Sequence, residues 1–226
     1  MTTSLSSFRK DVWRYAPEVP GVTVDDHVLK SVREFCDKTL VWRQDLASRI
    51  SVVADTYEYA VTAPTGTDVI GLHRVMYKQA GEDDDQFGPL EPMTEDGMDR
   101  THQTGQWRYT EAKQPSKFLY AIGGNIRLIP IPTVASASGL LITAYCKPLI
   151  TATTVQDFFY TRYLDVIVKG AVYRLLDIPK KPWADIELSK MIEAEFNSMC
   201  GSASFENQYS GRTTRKTRIK LSSQLR

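Results

Sequence analysis

Cysteine is scarce. Cys36, Cys146 and Cys200 are odd in number and far apart, which excludes a disulfide framework and a four-ligand zinc site and fits a reducing compartment. Histidine is equally sparse. None of His27, His73 and His102 has a second His or Cys at metal-ligand spacing, so no metal site is expected. An excess of one charge is missing too: 28 Lys and Arg face 27 Asp and Glu, for a net charge of +1, which argues against a histone-like coat for polyanions. No uninterrupted apolar run approaches the length of a membrane span, and the longest, residues 139–145, is of strand length. The first nine residues are rich in Ser and Thr and have no apolar centre. No signal peptide is expected, and the protein reads as one made in the cytoplasm.

Local catalytic signatures are also missing. There is no Gly-x-Ser-x-Gly elbow. Gly123 and Gly124 are not followed by the Gly-Lys-Ser/Thr of a phosphate loop, and read better as a tight hairpin turn. The acidic run at 81–85 is consecutive rather than alternating and lacks the twelfth-position Glu of a calcium loop, so it reads as a solvated turn. Cys36, on an apolar helix face, reads as a small core residue. Trp13, Trp42, Trp107 and Trp183 are too dispersed to form one base-stacking platform. Trp42 is expected to close the first helix onto a β-rich segment, and Trp183 to staple a helical hairpin. The reading is of a non-enzyme without cofactor; a long-range site using His73 or His102 is the least favoured alternative.

What the sequence does have is an ordered change of period. Val24, Val28, Val32, Phe35, Cys36 and Leu40 recur at steps of three and four, which predicts a helix over 24–41, with Thr23 as N-cap and Asp25 and Asp26 in its first turn. The spacing then becomes two. Strands are predicted over 50–61, 69–77, 117–122, 125–130 and 139–147, punctuated by Pro130, Pro132 and Pro148. Helical spacing returns with Val155, Phe159, Tyr163, Ile167, Ala171 and Leu175, breaks at 178–183, and resumes over 184–199 with Gly201 as the stop. The two last helices, so briefly joined, should lie antiparallel.

The expected fold class is α+β: a three-helix core, made of one N-terminal helix and a C-terminal helical hairpin, with an inserted antiparallel β-rich segment and an extended basic tail. The corresponding division is an N-terminal extension at 1–22, a helical core at 23–45 and 151–201, the insertion at 46–150 and the tail at 202–226. Residues 211–226 hold Arg212, Arg215, Lys216, Arg218, Lys220 and Arg226 and no acid, which leaves the rest of the chain at −5. That asymmetry implies a partner for the tail.

The ordered set resembles the head-to-tail adaptor (connector) proteins of tailed bacteriophages, including the tail-tubular-A-like adaptors. The resemblance spans about 17–200. It is carried by residues 32–43, with Phe35, Cys36, Leu40 and Trp42, running into the strand at 50–61. Residues 126–132, 145–149 and 163–176, and the Pro179 to Trp183 break, also carry it. It implies a virion protein at the head–tail junction, one of a ring of usually twelve copies beneath the portal. Such a ring contacts its neighbours, the portal protein and the tail nozzle or tube protein, and DNA passes through it without sequence-specific binding. It implies no membrane. Portal contact is carried over to the tail, with Arg212, Arg215, Lys216, Arg218 and Lys220 as charges and Ile219, Leu221 and Leu225 as apolar anchors. The rival class is a nucleic-acid-binding protein that uses the same basic tail.

Overall fold

In the computed structural model, which describes residues 1–83, 86–101, 109–112, 114–121 and 124–209, structure begins at the second residue. Strand β1 (Thr2–Ser4) leads into a 3-10 turn (Leu5–Phe8) and the one-turn helix α1 (Arg9–Val12). Leu5, Phe8 and Val12 are spaced three and four apart and are buried, so this stretch inserts one face into the core. Helix α2 (Gly21–Thr39) comes next, and starts ahead of the expected position. Pro20, not Thr23, is its N-cap residue, because its extended φ/ψ sets up the turn. The Arg9 guanidinium lies across Gly21, where a Cβ would meet Cζ at 2.9 Å, and forms two hydrogen bonds to Asp25 at 2.8 and 2.5 Å. The helix ends at Leu40, held in the left-handed region at φ 50.

The β-rich part comprises β2 (Arg43–Asp45), β3 (Ile50–Val52), β4 (Glu58–Ala60), β5 (Thr67–Tyr77), β6 (Gly88–Pro89) and β7 (Glu91–Pro92). A short helix α3 (Glu95–Thr101) precedes β8 (Glu111–Ala112), β9 (Lys117–Ala121), β10 (Asn125–Ile129), β11 (Ile131–Pro132) and β12 (Ser136–Pro148). The run expected as one strand over 50–61 is two. Asp55 takes φ 59, and the Tyr59 hydroxyl closes the turn by donating toward Val53 O and Thr56 O and accepting from Val53 N–H. As a result β3 pairs with β12 whereas β4 pairs with β10. After β13 (Thr154–Gln156), which pairs with β1, come α4 (Asp157–Leu176) and α5 (Ile186–Tyr209).

Contacts between α4 and α5 run in opposite senses along the two helices, Lys169 to Glu195 and Arg162 to Glu206, so the pair is antiparallel. α4 is buried nearly all round, with Val168 and Val172 covered as well as the expected face. Gly201 does not stop α5, which continues to Tyr209. A single helical glycine costs only about 1 kcal/mol, and residues beyond it, including buried Ala203, still pack. The extended segment expected from residue 202 is therefore helical over its first eight residues.

A three-helix core with an insertion does not describe this molecule. Among the described residues there are five α-helices and thirteen strands in four sheets, and the principal sheet, β2-β12-β5-β6 with β3 also on β12, is a curled half-barrel. The helices do not enclose a core of their own. Ala144 and Cys146 of β12 and Leu5, Phe8 and Val12 of the N-terminus share the main cluster with Phe35, Phe159, Ile167 and Phe196. A second cluster lies wholly in the β-rich part, around Val75, Tyr77, Phe118, Ile126, Leu128, Leu140 and Ile142. Nor are the sheets purely antiparallel, since β7 runs parallel to β9 and β11 to β8. Helical periodicity located α2, α4 and α5, but not α1 or α3, and carried no information on what covers them.

Long strands β5 and β12 span both clusters. Their ladder shifts register between Thr143 and Ala144 and between Tyr145 and Cys146, so β5 carries extra residues at His73 and Ile70. Such bulges bend a strand and raise its twist, which is how this strand pair curls.

Candidate functional site

The residues that could do chemistry are dispersed. His27 lies in the first half of α2, half-buried, its Nδ1 without a partner among the described residues. Burial lowers its pKa, and Lys30 and Arg174 add to the effect against Asp26. His73 lies exposed at the β5 bulge, its Nδ1 sharing a 2.8 Å hydrogen bond with the Tyr145 hydroxyl. Its pKa is also lowered, first by burial and then by Arg43 and Arg74. The two rings lie on different elements, α2 and β5. His102 and Trp107 lie outside the described residues.

All three thiols are buried. Burial pushes Cys36 and Cys146 upward and raises Cys200 to about 11, so each is held as the unreactive thiol. In the acidic turn, Glu82 accepts from the Gln79 N–H at 2.7 Å and Gln86 from the Asp83 N–H at 2.9 Å; these carboxylate and amide groups cap the turn itself. Asp84 and Asp85 are outside the described residues. Among the described residues no three His, Cys, Asp or Glu cluster as metal ligands do. Among the described residues no helix is long and apolar enough to cross a membrane.

One open cavity of about 340 Å³ lies against β10, lined in part by Asp55, Tyr57, Arg127 and Leu128. Its cation is committed: Arg127 pairs with Glu58 at 3.3 Å and Glu95 at 3.1 Å and stacks over Tyr57.

Elsewhere, polar side chains join elements to one another. Arg33 of α2 reaches Asp68 at 2.9 Å and the Pro148 carbonyl, and Lys147 reaches Asp37 at 2.8 Å, fastening α2 to the start of β5 and the end of β12. Glu34 receives Lys38, Arg174 and the Tyr173 hydroxyl, fastening α2 to α4. The Ser31 hydroxyl donates to the Ile167 carbonyl at 2.8 Å where these helices cross. Trp42 packs edge-on against Phe159, and Trp183 is partly buried against the main cluster.

Asn207, which sequence reasoning missed, sits at the other end of this framework. Its Nδ2 donates to the Thr39 and Leu40 carbonyls at 3.1 and 2.9 Å, two of the acceptors that a helix C-terminus leaves orphaned. Its Oδ1 accepts from Arg43 at 2.9 Å. No local pattern announces such a cap, because its partners are more than 160 positions away in sequence. The N-terminal anchors Leu5, Phe8 and Val12 were detectable by their spacing. The expected tail contacts, Arg212, Arg215, Lys216, Arg218, Ile219, Lys220, Leu221 and Leu225, lie outside the described residues. What the structure places is their point of departure, the last turn of α5.

Comparison with known families assigns the chain to the phage adaptors, structural proteins of the virion. The family is that described as SU10 adaptor protein; its model matches residues 3–219, and the chain belongs to it. No match is found among curated proteins. The family implies a structural part rather than a catalytic one, acting with other virion components.

Proposed function

We propose that this adaptor joins the portal to the tail as one of a ring of twelve copies, in the tail-tubular-A-like manner, and extends the DNA channel. The observation that carries this reading is the charge asymmetry of a chain in an adaptor family. Six cations and no acid occupy 211–226, against −5 elsewhere. A basic segment with the apolar residues Ile219, Leu221 and Leu225 suits contact with a larger partner, and ordering on binding lets a short segment cover a wide surface. Ile219 and Leu221, two apart, suit addition to a strand edge.

In this reading residues 210–226 engage the portal, the β-rich part at 46–150 faces outward or toward neighbouring copies, and another surface receives the nozzle. Neighbours in a ring meet head to tail, so each copy presents two unlike flanks. The acidic remainder suits a conduit, since every phosphate held by a fixed cation retards the passage of DNA.

The test is co-sedimentation of the full chain and of a chain lacking 210–226 with purified portal assemblies. The full chain is expected to sediment with the portal and the shortened one to stay behind while remaining folded. Equal binding by both overturns the role of the tail. Affinity for free DNA with a log–log salt slope of about −5, as six phosphate contacts would give, supports the nucleic-acid-binding alternative instead.

A further inference from the structure

The last turn of α5 is wired to the bend in the β5–β12 strand pair. Asn207 holds the end of α2 through the Thr39 and Leu40 carbonyls and accepts from Arg43. Arg43 is the cross-strand partner of Tyr145, and its guanidinium carbon lies 5.8 Å from the centre of that ring. The Tyr145 hydroxyl meets His73 Nδ1 at 2.8 Å, and the two rings are 5.1 Å apart.

His73 is one of the two β5 residues that the ladder skips, since Thr143 pairs with Arg74 and Ala144 with Leu72. The bulge falls where the two hydrophobic clusters divide. On one side Ala144 and Cys146 belong to the main cluster; on the other Leu140, Ile142, Val75 and Tyr77 belong to the β-rich one, and Leu72 packs against both.

Two features make this more than a surface contact chain. The geometry of each contact bears on the next: the Asn207 amide is oriented by donating to two carbonyls, which turns its oxygen to Arg43. Strand β2, which carries Arg43, is itself laddered to β12 through Leu46 N–H to Ile142 O and Cys146 N–H to Trp42 O, both 2.9 Å. A displacement of Asn207 therefore acts on β2 and, through it, on the strand that crosses both clusters.

We propose that Asn207, Arg43, Tyr145 and His73 form a mechanical link by which force or order at the point where residues 210–226 leave the body is transmitted to the bend of the β-rich part. Its use in assembly rests on the proposed portal contact of the tail; the link itself does not. Coupling of this kind is reciprocal, so disturbing either end must be felt at the other.

The experiment is amide hydrogen exchange on the full chain without any partner. Asn207→Ala, which removes the charge-assisted bond from Arg43 together with both bonds to the α2 carbonyls, is expected to speed exchange at least about tenfold in the last turn of α5 and, beyond the residues it touches, at 144–146 and around residue 73. Tyr145→Leu, at a half-exposed position, is expected to speed exchange at 203–209. In an Arg43→Met background both distant effects disappear. Acceleration confined to the neighbourhood of each substitution overturns the link, as does persistence of the distant effects without Arg43. Should the shortened chain lose portal binding while these cross-effects are absent, the link fails and the tail reading stands; cross-effects with undiminished portal binding by the shortened chain give the reverse.

Discussion

Gly170 shows how much of this framework depends on single atoms. It lies on α4 where α2 and α5 both approach, and a Cβ there would collide with the Ser31 hydroxyl and with the ring of Phe196. Ser31 is itself buried and bonded to Ile167 O, so it has no room to withdraw. Gly170→Ala should therefore destabilise the protein by about 1–3 kcal/mol, despite the better helix propensity of alanine, because overpacking outweighs it. The urea midpoint of the variant measures this. Gly201→Ala is the control at the same scale: open space surrounds its would-be Cβ, so the midpoint should rise or stay level. The Glu34 carboxylate, shared by three donors from two helices, belongs to the same set of contacts, and it cannot be read from a linear sequence because its partners meet only after α2 and α4 have packed.

At the scale of elements, the N-terminal segment is a part of the core. Phe8 is fully buried, edge-on to Tyr160 at 5.2 Å, while Thr3 donates to Asp157 at 2.6 Å at the start of α4. Phe8→Ala should cost about 3–5 kcal/mol, a core-aromatic loss rather than the small effect expected of a terminal arm. Thermal or urea unfolding distinguishes the two. The long helices and the long strands were legible because period and turn residues are local: α2, α4, β5 and β12 each fall on a stretch whose pattern announces it, whereas the short α1 and α3 do not. Their boundaries moved where tertiary contacts decide. Pro20 and Arg9 start α2 early, Leu40 ends it in a left-handed turn that Asn207 caps, and α5 runs through Gly201 because Ala203 still finds a buried place. What the pattern could not convey was partnership. The alternation over 50–61 is real, but a Tyr59-centred turn divides it between two sheets. The same limit produced the expectation of a self-contained helical core, when Cys146 and Ala144 on the sheet complete it.

Across the whole molecule, among the described residues, two large hydrophobic clusters are bridged by the long curled strand pair β5–β12, a small third cluster forms around Met98, Leu119 and Ile129, and a basic chain end follows the last turn of α5. Its family makes it a phage adaptor, and among the described residues ionised side chains tie elements together, as Arg33 does to Asp68 and Lys147 to Asp37. The candidate site was legible only as a composition: the cluster from Arg212 to Leu225 stands out by charge, whereas Asn207 and Arg43, which fasten its point of departure, do not stand out at all. The most direct measurement is electron microscopy of the full chain mixed with purified portal. The account predicts an added ring of density at one end of the portal, with the channel continuous through it. Portal particles with no added density, under conditions where both proteins are folded, would contradict it.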